Sequence, residues 1–181
     1  MADARTFLQG QLSNDLRQLA MERALPAGLH NPQGRVLALL RLWPAPDDPQ
    51  QGVLASLPAD LLADTAAHLR RYVLRSRVQI ADDSAAWRAW GLRGDDGAPT
   101  IELHPADWQA PASVSRVDTD AWQALEIAVG LPEVYAATRG EFVAQMLNLD
   151  CVGGVAWDKG CYTGQEIIAR AHYRGQVKRR M

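Results

Sequence analysis

Residues 159–166 form an octapeptide, Lys-Gly-Cys-Tyr-Thr-Gly-Gln-Glu, whose residue types are suited to thiol chemistry. The thiolate is the reactive form of cysteine, and nearby cations and helix N-termini favour it. Lys159 lies two residues before Cys161, and a helical pattern starts at Gln165. Gly160 and Gly164 permit sharp turns and the close approach of a ligand to the backbone. The octapeptide therefore predicts a thiol presented at a turn-to-helix junction, with Cys161 and Lys159 as candidate catalytic residues.

The residue pattern alone leaves a second interpretation of this cysteine open. Cys161 can be a small packing residue, with the glycines serving only the turn. Glu166, in the first helical turn, complements the helix dipole but would oppose a thiolate if it lay close. Cys151 has apolar neighbours, such as Leu149 and Val152, and no cation close in sequence, so the pattern favours a core position for it.

Cysteine usage and composition limit the class of protein. Two cysteines are too few for a disulfide framework, and the gap between them matches no common zinc spacing, so no tightly bound metal is expected. The 181 residues are 48% hydrophobic and 22% charged, as in a soluble globular protein. No apolar run is long enough to span a membrane, and no signal peptide is recognisable at the N-terminus. We therefore expect a cytoplasmic protein without membrane association.

Charge is unevenly distributed along the chain. Residues 159–181 contain six basic residues and one acidic residue, a balance of +5, whereas the net charge is −2, so the rest of the chain carries −7. This asymmetry indicates an anionic partner such as a phosphate, a polyglutamate chain or RNA, or else only a solvated face. Direct RNA binding is not favoured, because no matching basic stripe occurs elsewhere and the six tryptophans are scattered.

Local patterns predict an α+β protein, because strands and helices mix without a regular βαβ period. The predicted helices are 3–8 (capped by Asp3), a short one after 13–15, 58–72, 139–147 and 165–172. The predicted strands are 24–30, 35–43, 52–57, 73–81, 86–92 and 100–103, with turns at 31–34 and 94–97, a surface loop at 44–51 and a strand or helix-to-strand join at 121–129. Residues 1–45 with 121–181 are interpreted as a first subdomain and 46–120 as a second.

The octapeptide, followed by Arg170, matches the K-G-C-Y-x-G-Q-E…R motif of the YgfZ-type folate-binding family, relatives of the glycine-cleavage T-protein. Weaker matches occur in the family's order, so that the resemblance covers nearly the whole chain. They are Phe7–Leu12 with Asn14-Asp15, Asn31-Pro32 with Gly34-Arg35, Arg71–Val73 with Arg75, Gly130–Pro132, Met146–Asp150 with Gly153-Gly154, Tyr173–Gly175 and Lys178–Arg180.

The resemblance implies a T-protein-like folate-binding fold with mixed or antiparallel sheets, flanking helices and a central folate channel. It implies tetrahydrofolate as ligand and a role in assembling or repairing iron–sulfur clusters, including those of tRNA-modifying enzymes. Iron–sulfur enzymes or assembly proteins would be the partners and Cys161 the functional thiol. The folate contacts implied in this way are Gln9, Asn31, Glu126, Tyr162, Gln165, Glu166 and Arg170.

Two departures from the enzymatic relatives argue against aminomethyl transfer. T-proteins carry an Asp-Asp pair after the turn that corresponds to 31–35, and Ala38 and Leu39 stand there in this chain. T-proteins also carry a pterin-binding Glu where this chain has Ala128. If residues 121–129 formed a strand, Glu126 would face the same side as Ala128, displaced by about 7 Å.

The chain also resembles a shortened member of the family. A β-barrel domain usually follows the Lys-Arg-Arg segment, and the sequence ends just after Arg180. Without the barrel we expect weakened folate binding. The alternatives to a folate-linked accessory protein are an aminomethyltransferase-like enzyme, a thiol redox protein that uses Cys161, and an RNA-binding module that uses the basic tail.

Overall fold

A computed structural model describes residues 3–93, 97, 99–175, 177 and 179–181. The chain divides into two compact units, one formed by Met1–Ala81 with Glu133–Met181 and the other by Asp82–Pro132. The subdomain limits expected from sequence, at 45 and 121, stay a prediction. Helices and antiparallel strands are mixed in the chain, so the predicted α+β class is confirmed.

The elements follow in chain order. They are α1 (Ala4–Gln9), β1 (Leu25–His30), β2 (Val36–Ala45), β3 (Asp48–Ser56), α2 (Ala59–Arg70), β4 (Trp87–Arg93), β5 (Pro99–Pro105), α3 (Thr119–Ala128) and α4 (Gln165–Arg174). Single 3₁₀ turns occupy Leu16–Gln18, Ala136–Thr138 and Ala144–Leu147. No helix in the described part of the chain is long and apolar enough to cross a membrane.

The first unit is built on an antiparallel sheet with strand order β1-β2-β3. The predicted turn between β1 and β2 is confirmed: the Gly34 amide donates to the Asn31 carbonyl oxygen at 2.9 Å, and Gly34 has a φ of +71°. All side chains from Val36 to Leu40 are buried, because both faces of this strand are covered. Leu61 of α2 and Ile168 of α4 belong to the same buried core.

The predicted surface loop at 44–51 is wrong, because β2 and β3 form a tight hairpin there. Ala45 pairs with Asp48, and the register shifts between Pro44 and Ala45. Proline is tolerated in sheets at irregularities and on edge strands, and β3 is an edge strand. The three prolines of this segment led to the prediction of a loop, whereas the hairpin accommodates them at its turn, at the register shift and on its edge strand.

Two other elements differ from the sequence-based expectation. Residues 73–81 form a bend and irregular backbone instead of a strand, and Leu74 is 86% exposed. The predicted helix at 139–147 is also wrong. Gly140 has a φ of +78°, and its amide donates to the Val36 carbonyl oxygen at 2.8 Å. The Val36 amide donates in turn to the Phe142 carbonyl oxygen. This backbone pairing with the start of β2 prevents a continuous helix.

The second unit contains the antiparallel hairpin of β4 and β5 and the helix α3. Both predicted strands are confirmed, while the predicted turn at 94–97 lies mostly outside the described residues. The strand or helix-to-strand join predicted at 121–129 is wrong in its strand, because the helix α3 covers all of these residues except Val129. The Asp118 carboxylate accepts the amide hydrogen of Ala121 at 2.8 Å, which is an N-cap that starts the helix.

Candidate functional site

The octapeptide forms a turn that leads directly into α4. Gly164 precedes the helix at a φ of +83°, and Cys161 is exposed on the turn. The Tyr162 amide donates to Oε1 of Gln165 at 3.1 Å, and the Gln165 amide donates to the Tyr162 carbonyl oxygen at 3.2 Å. These reciprocal bonds fix the backbone on the C-terminal side of the thiol. The predicted turn-to-helix junction is therefore confirmed.

Lys159 is buried, and its ammonium group is bound by backbone oxygens. Its Nζ donates to the carbonyl oxygens of Gln9 at 2.7 Å, Leu12 at 2.6 Å and Asn14 at 2.8 Å. An ammonium has three N–H donors, so these contacts use all of them. The same Nζ lies 5.1 Å from the centre of the Tyr162 ring. Burial lowers the pKa of Lys159 to about 8, although the Asp15 carboxylate opposes the change.

A buried polar segment at Ser13, Asn14 and Asp15 forms the other side of this anchor. Ser13 Oγ donates to the Gly154 carbonyl oxygen at 2.6 Å and accepts the Gly28 amide hydrogen at 2.8 Å. Asn14 Nδ2 donates to the carbonyl oxygens of Pro26 and Gly153 at 2.6 and 2.7 Å. The segment thus joins β1 to the chain that leads into the octapeptide.

Asp15 and Gln9 complete the same network. Arg17 donates several hydrogen bonds to the Asp15 carboxylate, and these hold the pKa of that carboxyl well below its usual range. Gln9 Nε2 donates to Asp15 Oδ1 at 3.0 Å, while its Oε1 accepts the Leu16 amide hydrogen at 2.8 Å. Gln9 was predicted to contact folate, yet both ends of its amide already have partners within the protein.

Tyr162 and His30 pack together beneath the turn. Tyr162 is buried, and burial raises the pKa of its phenol to about 12. The His30 ring centre lies 6.2 Å from that of Tyr162. His30 is fully buried; neither ring nitrogen makes a hydrogen bond of good geometry, and the Gly28 backbone is a weak polar contact of the ring. Burial lowers its pKa to about 4, so the imidazole is neutral at physiological pH.

The β1–β2 turn contacts the start of α4 at two glycines. A Cβ placed on Gly164 would lie 2.6 Å from the Asn31 carbonyl oxygen and 3.1 Å from the Gly34 Cα. A Cβ on Gly34 would lie 2.9 Å from the Cβ of Ile167. Asn31 Oδ1 accepts the amide hydrogens of Gln33 and Arg35, so this predicted folate contact shapes the turn. The octapeptide is therefore held on both sides of Cys161.

Two predicted folate contacts present exposed charges on α4. Glu166 and Arg170 are both exposed and lie one helical turn apart. Ile168 is fully buried, whereas Ile167 is 42% exposed. Gln145 Nε2 donates to the Ile168 carbonyl oxygen at 2.7 Å and ties the middle of the helix to the core.

Glu126 belongs to the second unit and lies on α3. It is buried, whereas Ala128 is exposed. Residues two apart on a helix point about 200° away from each other, so the expected shared face is wrong. The role of Glu126 toward folate stays a prediction without that geometric support.

Cys151 is exposed, so its predicted core position is wrong. Arg180 donates to both carboxylate oxygens of Asp150, at 2.9 and 2.8 Å, and its Nη1 lies 3.4 Å from the Cys151 sulfur. These bonds hold the pKa of Asp150 below its usual value. The apolar residues around Cys151 in sequence are themselves covered to different extents, with Leu149 buried and Val152 only partly so.

Sequence reasoning therefore predicted the turn-to-helix junction that presents Cys161, and missed the network that anchors this turn; the role of the thiol stays a prediction. Ser13, His30 and Gln145 are fully buried polar residues that had no place in the predicted site. The signal for Ser13–Asp15 was present in the sequence, because three polar residues stand between the apolar Leu12 and Leu16. Nothing in the local sequence marks His30 or Gln145 as buried.

Three curated relatives match almost the whole chain, and no family model matches it. An uncharacterized protein of Haemophilus influenzae is 29% identical over an alignment of 191 positions, gaps included, that covers 99% of this chain and 66% of that protein. The tRNA-modifying protein YgfZ of Escherichia coli O157:H7 is 30% identical over an alignment of 216 positions, gaps included, that covers 98% of this chain and 65% of that protein. The protein of the same name from E. coli K12 (DH10B) is 29% identical over the same shares.

This chain accordingly spans 65–66% of the length of these relatives. The alignment includes the octapeptide and its anchor, since it covers 98% of the chain. The similarity and the octapeptide agree: the chain is similar to the YgfZ proteins over nearly its whole length.

Proposed function

We propose that this chain is a folate-binding accessory protein that supports the assembly or repair of iron–sulfur clusters, including those of tRNA-modifying enzymes. Cys161 is its functional thiol. Relatives that match nearly all of the chain are named tRNA-modifying proteins, which supports the link to tRNA modification. The proposal includes a T-protein-like folate-binding fold.

The observation that carries the proposal is the way Cys161 is presented. The thiol is exposed, while Lys159, two residues before it, and Tyr162, directly after it, are buried. Lys159 binds three backbone oxygens on one side, and Tyr162 with Gly164 packs against His30 and the β1–β2 turn on the other. A thiol held in one position by a rigid backbone can be offered repeatedly to a partner or a cluster without reorganisation.

Lys159 acts as a positioning residue in this proposal. Its three N–H donors are already occupied, so it holds the backbone that carries Cys161 and has no donor left for a substrate. Arginine could not replace it easily, because a planar guanidinium cannot point three donors at three converging carbonyls.

The residues present fit part of a folate molecule. The exposed guanidinium of Arg170 can bind a glutamyl carboxylate, and Glu166 can accept from an N–H donor. Side chains four apart on a helix lie about 5–6 Å apart at Cβ, so the pair reaches only one end of an extended folate. Arg170 is therefore assigned to the glutamyl end, and Gln9, Asn31 and Gln165 act by shaping the backbone. Bound folate would supply a one-carbon carrier.

Aminomethyl transfer is less well supported. Ala38 and Leu39 occupy the positions of the T-protein carboxylates, and both are buried in β2, at 0% and 5% exposure. Neither side chain can hold or move a proton. The acid–base step that T-proteins carry out with these carboxylates therefore has no proton-transferring group at this position.

Complementation tests the proposal. The chain is expressed in cells that lack their own copy, and the modified nucleosides made by iron–sulfur enzymes are quantified in tRNA. We expect Cys161→Ala to lose the activity and Cys151→Ala to retain it. Equal complementation by Cys161→Ala and the unaltered chain would contradict the assignment of the thiol.

A tetrahydrofolate titration tests the ligand separately. Arg170→Ala should weaken binding about tenfold, the effect expected on losing a charge-assisted hydrogen bond. Arg88→Ala, an exposed arginine of the second unit, serves as the control. Unchanged affinity in Arg170→Ala would remove Arg170 from the folate site.

A further inference from the structure

An aromatic cluster connects the chain before the octapeptide to the last turn of α4. The rings of Trp157 and His172 are stacked, with centres 3.8 Å apart and an angle of 19°. Tyr173 meets both rings edge to face, at 4.7 Å from His172 and 6.1 Å from Trp157. Trp157 is partly buried against the core, so the cluster has a fixed base.

Tyr173 differs from an ordinary exposed tyrosine. It is 67% exposed, yet two aromatic neighbours hold its orientation. A large ring that is both exposed and held in place is ready to stack on a planar group without losing further rotamer freedom. No other part of the described site uses Tyr173 or the stacked pair.

Positive charge lies on the same side of the helix. Successive residues of a helix are turned by about 100°, which places Arg170, Tyr173 and Arg174 within one arc of about 100°. Both arginines are exposed, and Glu166 is the only acidic residue of α4. Arg179 adds another exposed cation in the tail, whereas Arg180 is paired with Asp150.

We propose that this face of α4 binds single-stranded nucleic acid, with a base stacked on Tyr173 and the adjacent phosphates bound by Arg170 and Arg174. Exposed aromatic rings beside arginines are the means by which proteins bind unpaired strands without reading their sequence. Guanidinium groups alone would suit an acidic protein equally well, and the held ring is what favours bases. Stacking and phosphate contact are common to RNA and DNA, so both belong in the test.

This inference departs from the expectation that direct RNA binding is not favoured. That expectation treated the tryptophans as scattered, because the sequence does not place Trp157 beside His172 and Tyr173. The same expectation required a basic stripe along the whole chain. One helical face with a stacking ring is enough to bind a few nucleotides. The inference does not depend on the proposed role of Cys161 or on folate.

Fluorescence anisotropy of labelled twelve-nucleotide strands of RNA and of DNA, titrated with the whole chain over a range of salt, measures the interaction. Tyr173→Ala should weaken binding about tenfold without changing the salt dependence, because it removes stacking alone. Arg174→Ala should weaken binding and reduce the slope of log K against log salt by about 0.7, the value for one phosphate on a single strand.

Matched controls come from Arg71 and Tyr72, an exposed pair at the end of α2. Arg71→Ala and Tyr72→Ala should leave binding unchanged. A strand of abasic sites should bind more weakly than the base-bearing strand and should be insensitive to Tyr173→Ala. Tetrahydrofolate affinity should be the same in Tyr173→Ala as in the unaltered chain, which separates the stacking role of Tyr173 from folate binding, although Arg170 belongs to both proposed sites.

Several results would overturn the proposal. The proposal is overturned if no strand binds at low salt. It is also overturned if abasic and base-bearing strands bind equally, because binding would then depend on charge and not on stacking. A loss in Tyr72→Ala equal to that in Tyr173→Ala would show that the surface is not specific. Displacement of the strand by polyglutamate, with polyglutamate binding equally dependent on Tyr173, would identify an acidic protein as the partner instead.

Discussion

The Nζ of Lys159 donates a hydrogen bond to the carbonyl oxygen of Leu12 at 2.6 Å, across 147 residues of sequence. This contact joins the turn that carries Cys161 to the segment that follows α1. Two further carbonyls, of Gln9 and Asn14, complete the binding of the same ammonium. The thiol turn is thus anchored to the first residues of the domain by a side chain within its own motif.

Lys159→Met is expected to destabilise the protein by about 3–5 kcal/mol. The substitution keeps the length of the side chain but leaves three inward carbonyl oxygens without their charged donor, and each unpaired buried polar group costs about 1–3 kcal/mol. Urea denaturation followed by circular dichroism measures the change in the free energy of unfolding. Arg179→Met, at an exposed position, is the control and should change it by less than about 0.5 kcal/mol.

A Lys159→Met protein as stable as the control would contradict the anchor. The consequence for the thiol can be measured in the same variants, in a Cys151→Ser background. If Lys159 positions the turn, the rate at which Cys161 reacts with a neutral alkylating reagent should change in Lys159→Met and stay the same in Arg179→Met.

Gly164→Ala should be far more damaging than Gly160→Ala, although both lie in the octapeptide. Gly164 has a φ of +83°, and an added Cβ would lie 2.6 Å from the Asn31 carbonyl oxygen. The left-handed conformation alone costs a non-glycine residue about 1–2 kcal/mol, and the backbone clash adds to that. An added Cβ on Gly160 meets no atom within 4 Å. Thermal and urea unfolding of the two variants should differ by at least about 2 kcal/mol; similar stabilities would refute the close approach of α4 to the β1–β2 turn.

His30 should make the protein sensitive to mild acid. Its pKa is lowered to about 4 in the folded state, against an ordinary value of about 6.5 in the unfolded chain. Below pH 6.5 the unfolded chain therefore takes up a proton that the folded protein does not, and stability falls until about pH 4. The slope reaches about 1.4 kcal/mol per pH unit at most, and the loss is about 3 kcal/mol in total.

To test this, the free energy of unfolding is measured between pH 7 and 4, and its slope against pH is compared between the unaltered chain and two variants. His30→Leu should flatten it, whereas His172→Gln, which alters an exposed histidine, should not. Asp15 acts in a lower window: its lowered pKa gives stability that is present above about pH 4 and lost as the pH falls further. An unchanged slope in His30→Leu would show that His30 is not buried as a neutral group.

Local sequence patterns were sufficient where a turn or a proline in the first turn of a helix marks an element, but the Asp118 cap of α3 was missed. The turn at Asn31–Gly34 and the helix after Pro58 were predicted from residues within the element itself. The failures at 73–81 and 139–147 have another cause, since an alternating or apolar segment becomes a strand or helix only if a partner or an unbroken backbone is available. Gly140 pairs with Val36, which no local pattern can indicate.

The site was predictable to the same extent. Residue types identified Cys161 and its turn, because a thiol, a cation and two glycines within eight residues are chemically unusual in a core. The partners of Lys159 were not predictable, because they are backbone carbonyls and carry no residue-type signal. Cys151 was assigned to the core from its apolar neighbours, but burial depends on which way each side chain of a turn points.

The two cysteines should be distinguishable by the charge of the reagent that attacks them. Both are exposed, so both should be alkylated in the native protein, but the Arg180 guanidinium lies 3.4 Å from the Cys151 sulfur. A nearby positive charge attracts an anionic reagent by about 1 kcal/mol in water, so the rate ratio of iodoacetate to iodoacetamide at Cys151 should fall several-fold in Arg180→Ala. The ratio at Cys161 should not change, and peptide mass spectrometry measures both sites at once. A Cys151 that resists both reagents in the native state would mean that the thiol is buried, as its sequence neighbours first suggested, and that Arg180 does not lie beside it.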